Sequence, residues 1–420
     1  MLKIQYALLF LGIMILFLYM IRRSDVEPFV TDPNVYKSES AYTKQVTLVT
    51  KQYNETATSK RPVRDLLAQN VMPESEQNFV NFYALAARFT GYIGPMNNGY
   101  FDPDIAVQMA VNAGCRVFVL DIDYLDDCTS TPYFPQLVVR DSQGKLIIRY
   151  TSNIPMCNSS VSSNIRTVCE KINFYAFSDS CQQAADPVVI VLYFHRQPPG
   201  SYKSKAVLDY YSNVAKALSP FQSRFLTNEL DGGTFYRQKQ EGRLLINPIT
   251  TYSGKVLLFS NANTSGFREV AYDPVEDLDF MTNLRLSYTQ TKMGVTDNES
   301  STMYGILQTA EDFTTIPADR TDTVVEQTKL CWTVALSRDP STSVSQAIYK
   351  QITSTTGVHC VPALLFDPAS EYLFTDKLFK TYGFIPKPQE LRYIKPPVVT
   401  PAVPNPSTDA KQGKLRAPQI

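Results

Sequence analysis

Apolar residues in this chain occur in short runs, and the segments between the runs carry helical patterns of apolar and polar positions. A run such as PVVIVLYF at 187–194 has no polar face, which is typical of a parallel strand covered by helices on both sides. Strands of this kind that alternate with helices indicate a βα architecture. The predicted strands cover residues 82–90, 116–121, 187–194, 255–260, 284–288, 331–336 and 361–366.

The segments between these strands carry recognisable helix signals. Asp102 is a candidate N-cap, and Pro103 follows at the first turn, where its missing N–H costs nothing. This helix is predicted to end at Gly114, since glycine is common directly after a helix C-terminus. A second helix is predicted around 161–176. A hairpin is predicted from the apolar stretches 137–139 and 146–148.

Seven or eight strands separated by helices predict an α/β fold, specifically a (β/α) TIM-like barrel over residues 78–385. A doubly wound sheet is the alternative. The chain contains neither G-x-G-x-x-G nor a Walker loop, so no nucleotide-binding site supports that alternative.

The first apolar run, at 4–21, contains no charged residue. As a helix it would be about 27 Å long, close to the ~30 Å hydrocarbon core of a bilayer, and it predicts one N-terminal transmembrane helix. A cleaved signal peptide and a buried core helix are the alternatives, but no small-x-small cleavage site follows the run. Lys3 precedes the run, and Arg22 and Arg23 follow it. The positive-inside rule therefore favours a single-pass membrane protein whose body lies on the cytoplasmic side.

Two segments outside the predicted barrel lack a regular apolar period. Residues 24–77 mix charged, Thr, Ser and Asn residues and are predicted to form a stalk or linker. Residues 386–420 are rich in proline and close with a basic stretch, which is typical of an extended arm. This tail is either a docking arm for a protein partner or an unstructured terminus.

Composition narrows the function only slightly. The 40 acidic residues balance the 40 basic ones, so the chain shows no electrostatic footprint for nucleic acid. Its seven cysteines form no C-x-x-C pair and show no metal-ligand spacing with histidine. Cys157, Cys169 and Cys181 could form disulfides in an oxidising compartment, but the odd total argues against a disulfide framework.

Four segments occur in the order found in the phosphatidylinositol-specific phospholipase C X domain, a TIM-barrel family. Residues 114–121, GCRVFVLD, resemble its G-C-R-x-x-E-L-D segment, and YAF at 175–177 precedes the strand at 187–194 as it does there. GKVLL at 254–258 and GVHCVP at 357–362 resemble two later strands. Residues 387–394, followed by prolines, are similar to homologues encoded by nucleocytoplasmic large DNA viruses, so a virion location is one expectation.

The resemblance implies a site that this chain does not complete. The family uses two histidines as proton carriers, and these positions fall at or beside Phe89 and within 150–153, where this chain has no histidine. Two carboxylate positions of the calcium-dependent members fall on Val119 and Tyr193, and only Asp121 is retained. The expectation is that catalysis is lost and that no cofactor is bound. A Ca²⁺ site including Asp121 and Asp123 is the alternative, although Ca²⁺ prefers six to eight oxygen ligands.

Other polar residues could rebuild a site at the carboxyl ends of the strands, where barrel enzymes carry their chemistry. Asp121 and Asp123 would point the same way on one strand, and His195 follows the next strand. Asp121 and His195 are therefore the alternative catalytic pair. A binding role is predicted for Arg88, Asp123 and Tyr193, with Arg88 able either to bind phosphate or to pair with Asp121. Asp126 and Asp127 follow closely, and Asp367 lies just past the last strand. The alternative interpretation is that Asp123, Asp126 and Asp127 form a solvated loop and that His195 makes local hydrogen bonds at the rim. His359 is interpreted as a packed or hydrogen-bonded residue.

These observations predict a membrane-anchored, non-enzymatic barrel that binds a phospholipid headgroup or a protein partner. The alternative is a phosphodiesterase that acts on phosphatidylinositol or another phospholipid through a rearranged site.

Overall fold

The computed structural model describes the chain in segments. The described residues are 46–47, 50–51, 60–93, 100–126, 132–137, 163–226, 243–270, 273, 275–295, 305–340, 342–365, 367, 370, 372–375 and 378–396. The predicted anchor at 4–21, most of the predicted stalk and the tail from 397 onward lie outside these residues. Within the described part, none of the helices has both the length and the apolar character needed to span a membrane.

The strands follow one another in an order close to the one that the apolar runs predict. They are β1 (Phe82–Ala84), β2 (Ala86–Arg88), β3 (Tyr92–Ile93), β4 (Tyr100–Phe101), β5 (Val117–Asp123), β6 (Gln136–Leu137), β7 (Val188–Phe194), β8 (Val256–Ser260), β9 (Leu284–Ser287), β10 (Gly305–Thr309), β11 (Trp332–Leu336) and β12 (Phe384–Pro386).

The α-helices lie mostly between these strands. They are α1 (Val63–Leu67), α2 (Pro103–Ala113), α3 (Ser163–Ala176), α4 (Lys205–Ala217), α5 (Leu278–Met281), α6 (Ala310–Thr314), α7 (Thr321–Leu330), α8 (Gln346–Thr356) and α9 (Tyr372–Thr375).

The principal sheet is parallel along its main path and curls into a TIM-like α/β arrangement. Its order is β11-β10-β9-β8-β7-β5-β2, and β6 adds to β5 in the antiparallel sense. The predicted strand at 361–366 is not a regular strand. Instead, Cys360 forms a parallel bridge with Val334 of β11, and Ala363 forms one with Ala87 of β2. Residues 360–363 therefore connect the two edges of the sheet.

Helix α2 confirms the local signals that predicted it. The Asp102 side chain accepts a hydrogen bond from the Ile105 N–H, and Pro103 is the first helical residue. Gly114 follows the last helical residue with a φ of 95°, a left-handed value that glycine adopts without a side-chain penalty.

Side chains of the barrel strands alternate between two apolar layers. On β5, Val117 and Val119 belong to the interior cluster, whereas Phe118 and Leu120 pack in the layer that also contains buried residues of the helices. This period of two continues along the strand, so Asp121 and Asp123 fall on the interior side. The apolar pattern of β5 thus decides the direction in which its acidic end points.

The amino-terminal end of the barrel is filled by aromatic rings. Phe79 stacks on Trp332 with ring centroids 4.7 Å apart, and Trp332 stacks on His359 at 4.8 Å. His359 is fully buried here, as the packed interpretation of this residue expected.

Segments at both ends of the predicted barrel pack against it. In the predicted stalk, Val63, Leu67 and Met72 are buried in the interior cluster. At the other end, β12 pairs with β1 in the antiparallel sense, and Lys387 is fully buried. The packed body therefore begins before residue 78 and continues past residue 385.

Two sequence predictions are only partly within the described residues. Leu137 of the predicted hairpin belongs to β6, which pairs with the end of β5, but 138–139 and 146–148 lie outside the described part. Cys169 and Cys181 carry free thiols, and Cys157 lies outside as well.

Candidate functional site at the carboxyl ends of β2, β5 and β7

Three neighbouring parallel strands bring the predicted polar residues together. Arg88 is the last residue of β2, and Asp121 and Asp123 lie at the carboxyl end of β5. Tyr193 is near the end of β7, and His195 directly follows that strand. The strand register pairs Arg88 with Val119 and Asp121 with Tyr193. Because the strands are parallel, residues far apart in sequence meet at one rim.

Arg88 and Asp121 form a buried ion pair. The Arg88 Nη2 atom lies 2.7 Å from Asp121 Oδ1, and Nε lies 3.2 Å from each carboxylate oxygen. The two side chains are only 4% and 2% exposed, respectively. Arg88 Nη1 also donates to the Ser337 carbonyl at 3.4 Å, beyond the end of β11. Asp121 therefore pairs with Arg88 inside the barrel, which is one of the two roles that the sequence suggested for Arg88.

His195 adds a third group to this pair. Its Nε2 lies 3.0 Å from Asp121 Oδ1 and, because a carboxylate only accepts, Nε2 carries the proton. The imidazole packs against Tyr193 with ring centroids 4.5 Å apart. The backbone N–H of His195 donates to the Ile122 carbonyl. The alternative catalytic pair is thus in direct contact.

The charges at this rim set the protonation of Asp121. Burial alone would raise the pKa of this carboxyl group, but Arg88 and the hydrogen bond from His195 outweigh burial, and the pKa is lowered. Burial also opposes the charge of Arg88, and Asp121 again outweighs it, so the pKa of Arg88 is raised. Tyr193 is buried, which raises its pKa to about 12. The pair is fully ionised at neutral pH.

Asp123 belongs to a second ion-pair group. Arg196 Nε lies 2.9 Å from Asp123 Oδ1, and Arg196 Nη1 lies 2.9 Å from Asp126 Oδ1. The guanidinium also lies over the Tyr124 ring, 4.2 Å from its centroid. Asp123 is fully buried, whereas the side chain of Asp126 is 57% exposed. Asp126 therefore pairs with an arginine instead of forming only a solvated loop, and Asp127 lies outside the described residues.

The backbone of Phe89, at or beside which the sequence resemblance places a histidine, is unusual. Its φ is 54°, in the left-handed region that bulky residues rarely adopt. The ring is buried, and the Arg88 guanidinium carbon lies 4.9 Å from its centroid and 5.8 Å from that of Tyr193. Arg88 is thereby held between two aromatic rings as well as by Asp121.

The donor set at this rim does not fit Ca²⁺. Asp121 and Asp123 are both engaged by arginines, and a cation would have to compete with two guanidinium groups for these oxygens. Within the described ranges, no cluster of three or more His, Cys, Asp or Glu side chains could hold a metal ion.

Arg196 and Arg338 complete the rim, and the sequence carries no signal for their contacts. Arg196 directly follows His195, and its contacts with Asp123 and Asp126 depend on the course of the chain after β5. Arg338, beyond β11, reaches Asp312 at 3.1 Å. Asp367 accepts a hydrogen bond from the Ser343 N–H, which is a local role. No sequence signal links these residues, because their partners come from different strands.

Comparisons with known proteins give structural similarity only. No protein-family model and no curated protein matches the chain. The solved structure of PLC21 from L. pealei is 15% identical with a TM-score of 0.47, and the alignment covers 77% of this chain and 38% of that one. A calcium-dependent phosphoinositol-specific phospholipase C from Pseudomonas sp. is 13% identical with a TM-score of 0.44, over 75% of this chain and 97% of that one. A Ca²⁺-dependent enzyme of this kind from Streptomyces antibioticus is 10% identical with a TM-score of 0.40, over 69% of this chain and 98% of that one. The chain thus spans well under half the length of PLC21.

Proposed function

We propose that this chain is a non-enzymatic, membrane-anchored barrel that binds a phospholipid headgroup at the rim formed by β2, β5 and β7. The supporting observation is the saturation of Asp121, whose carboxylate accepts hydrogen bonds from both Arg88 and His195. Phosphodiester cleavage needs groups that exchange protons with the substrate. A carboxylate of lowered pKa that is held by a buried arginine is poorly suited to that task.

Arg196 is the cation best placed to contact a headgroup phosphate. Its side chain is 36% exposed, and its partner Asp126 is more exposed still. Exposed ion pairs contribute only about 0–1 kcal/mol, so a phosphate could displace Asp126 at small cost. Arg88 is less available, because separating it from Asp121 would leave a buried charge without a partner. The headgroup would therefore meet Arg196 and the Tyr193–His195 edge, while Arg88 keeps the rim in place.

The test is a cleavage and binding assay on the full chain. The full chain in detergent micelles is titrated with soluble glycerophosphoinositol or glycerophosphocholine, so that the predicted anchor does not contribute to the binding signal. Cleavage is followed with phosphatidylinositol in the same micelles, in the presence of Ca²⁺ or a chelator. We expect glycerophosphoinositol to bind, and to bind about tenfold more weakly to Arg196→Gln, because a charged hydrogen bond to phosphate contributes about 1.5–3 kcal/mol. We also expect no inositol phosphate release above that of His195→Gln. Equal binding of the two compounds would contradict the proposal.

The direct contact of His195 with Asp121 supports a second candidate, a phosphodiesterase with a rearranged site. An aspartate that fixes one imidazole nitrogen is the arrangement that orients a histidine as a general base. In that case the inositol phosphate release seen with the native chain would be abolished in His195→Gln. Release that this substitution removes would establish the enzyme and reject the non-enzymatic proposal.

A further inference from the structure

A second polar cluster lies at the opposite, amino-terminal end of β5, away from the rim. Arg116 directly precedes β5, and Cys181 is in the turn between α3 and β7. Cys181 lines a cavity of about 140 Å³ that opens to solvent between α2 and the end of α3. Gln183 and Lys60 line the same cavity. We refer to Arg116, Cys181 and this opening as the Cys181 cavity.

Arg116 is a buried cation, and among the described residues the one hydrogen-bonded group that could carry a negative charge beside it is a sulfur atom. Its Nη1 donates to the Ala176 carbonyl at 3.0 Å, and its Nη2 donates to Cys181 Sγ at 2.9 Å. The residue is fully buried, and its Nε has no partner. Among the described residues, no carboxylate forms an ion pair with Arg116. Buried charges are normally paired, so this guanidinium favours a negative charge on the atom that it contacts.

Asp186 is a described carboxyl group that interacts electrostatically with Arg116, and it does not replace the thiol. Its Oδ1 accepts a hydrogen bond from the Val63 N–H, and its Oδ2 has no partner. Burial raises the pKa of Asp186 to about 6, although the charge of Arg116 opposes that rise. Asp186 therefore acts on Arg116 only through space, and Cys181 is the group in contact.

We propose that Cys181 is a reactive thiol, activated by the hydrogen bond that it accepts from Arg116, and that it is a site at which peroxides oxidise this chain. A thiolate is the nucleophilic form of cysteine, and an adjacent arginine favours it. Cys181 is partly exposed, so a small oxidant can reach it through the cavity. Gln183 is almost completely buried in the lining, and its Oε1 has no hydrogen-bond partner among the described residues, so the cavity wall contains an unused acceptor.

The other described thiols lack this combination. Cys115, Cys169 and Cys360 are buried, and burial raises the pKa of each. Cys331 is partly exposed like Cys181, but burial raises its pKa too. Cys331 is therefore a matched control for exposure within the same molecule.

The oxidation step is a two-electron transfer. The Cys181 thiolate attacks one oxygen of the peroxide, an S–O bond forms and the O–O bond breaks. Sulfur is oxidised to a sulfenic acid, and the departing hydroxide or alkoxide takes a proton from solvent to leave as water or alcohol. The peroxide is the only oxidant that the step needs.

The first experiment measures alkylation of the full chain by limiting iodoacetamide at pH 7, with each cysteine quantified by peptide mass spectrometry. The same measurement in denaturant gives the intrinsic rate at every position. We expect native Cys181 to react at least as fast as it does in the unfolded chain, and about tenfold faster than native Cys331, because the adjacent arginine activates the thiol. Equal protection of Cys181 and Cys331 relative to the unfolded chain, or Cys181 already in a disulfide, would overturn the proposal.

The second experiment adds hydrogen peroxide and then dimedone, which traps sulfenic acids. The adduct is expected at Cys181, and in Cys181→Ser it should be lost without a compensating adduct at Cys331. Arg116→Gln should reduce the Cys181 adduct if that variant retains the thermal unfolding transition of the native chain. If the variant does not fold, the comparison of Cys181 with Cys331 in the native chain decides the proposal by itself. An adduct distributed equally over the exposed cysteines would refute it.

Discussion

The Nε2 atom of His195 lies 3.0 Å from the Oδ1 atom of Asp121, although the two residues are 74 positions apart along the chain. This contact follows from the pairing of β5 with β7, which places Asp121 beside Tyr193, two residues before His195. Because Arg88 holds the same carboxylate, any role for His195 depends on the buried ion pair behind it.

Breaking the ion pair between Arg88 and Asp121 should destabilise the protein strongly. Asp121→Asn leaves the Arg88 guanidinium buried without its anion, and we expect the free energy of unfolding to fall by about 3–5 kcal/mol. Urea denaturation followed by circular dichroism measures this. Asp126→Asn, at the exposed end of the neighbouring group, should cost less than about 1 kcal/mol. Similar losses for the two variants would show that Arg88 does not depend on Asp121.

We expect the replacement of Lys387 by an apolar residue to stabilise the protein. Its Nζ is fully buried and contacts the Thr328 carbonyl and His359 Nε2, at 3.1 and 2.8 Å. Burial, and secondarily Lys329, lower the pKa of Lys387 well below its ordinary value. From that lowered pKa up to about 10.4, the unfolded chain binds one more proton here than the folded one, so stability rises with pH by up to about 1.4 kcal/mol per unit.

Lys387→Met should therefore stabilise the protein at pH 7 and make its unfolding free energy less dependent on pH between 7 and 10. Urea denaturation at several pH values measures both effects. Lys205→Met, on an exposed face of α4, is the control and should change neither. A destabilised Lys387→Met variant with unchanged pH dependence would mean that this amine is charged in the folded protein.

We expect His359 to remain neutral in the pH range in which histidines usually titrate. Its Nδ1 accepts a hydrogen bond from the Thr333 N–H, and its Nε2 lies 2.8 Å from the Val80 carbonyl. Nε2 therefore carries the proton, and Lys387 next to it must accept as a neutral amine. Burial lowers the pKa of His359 well below 6.5.

The chain contains only two histidines, so a ¹⁵N-histidine NMR spectrum resolves this directly. The His359 resonances should keep the Nε2–H pattern and remain constant from pH 8 down to about 5, below the ordinary histidine value. Since the unfolded chain protonates here near pH 6.5 and the folded chain does not, this residue lowers stability as the pH falls below about 6.5. His359→Gln assigns the signal, and a midpoint between pH 6 and 7 would contradict the prediction.

The cap that Asp102 provides at the start of α2 should make a measurable contribution to stability. Its carboxylate caps α2 by accepting from the Ile105 N–H. Asp102→Ala should cost about 1 kcal/mol of unfolding free energy, whereas Asp102→Asn should retain most of it, because asparagine also caps well. Thermal or urea unfolding of the two variants provides the comparison. Equal loss in both would assign the effect to charge instead of capping.

Local signals in the sequence determined much of the fold. The apolar runs determined where β5, β7, β8 and β11 form, since a strand covered on both faces requires such a run. Asp102 and Gly114 determined where α2 begins and ends, because capping depends only on neighbouring backbone groups. The period of two in β5 also determined that Asp121 and Asp123 share one face.

Tertiary structure alone decided what those residues contact. The sequence suggested Arg88 and His195 as possible partners of Asp121, but only the pairing of β2, β5 and β7 decided that both contact its Oδ1 atom. The same holds for Arg116 and Cys181, and for Lys387 and His359, whose contacts join segments far apart in the chain. A local pattern determines secondary structure and the direction of a side chain, whereas charge pairing inside a barrel depends on which strands become neighbours.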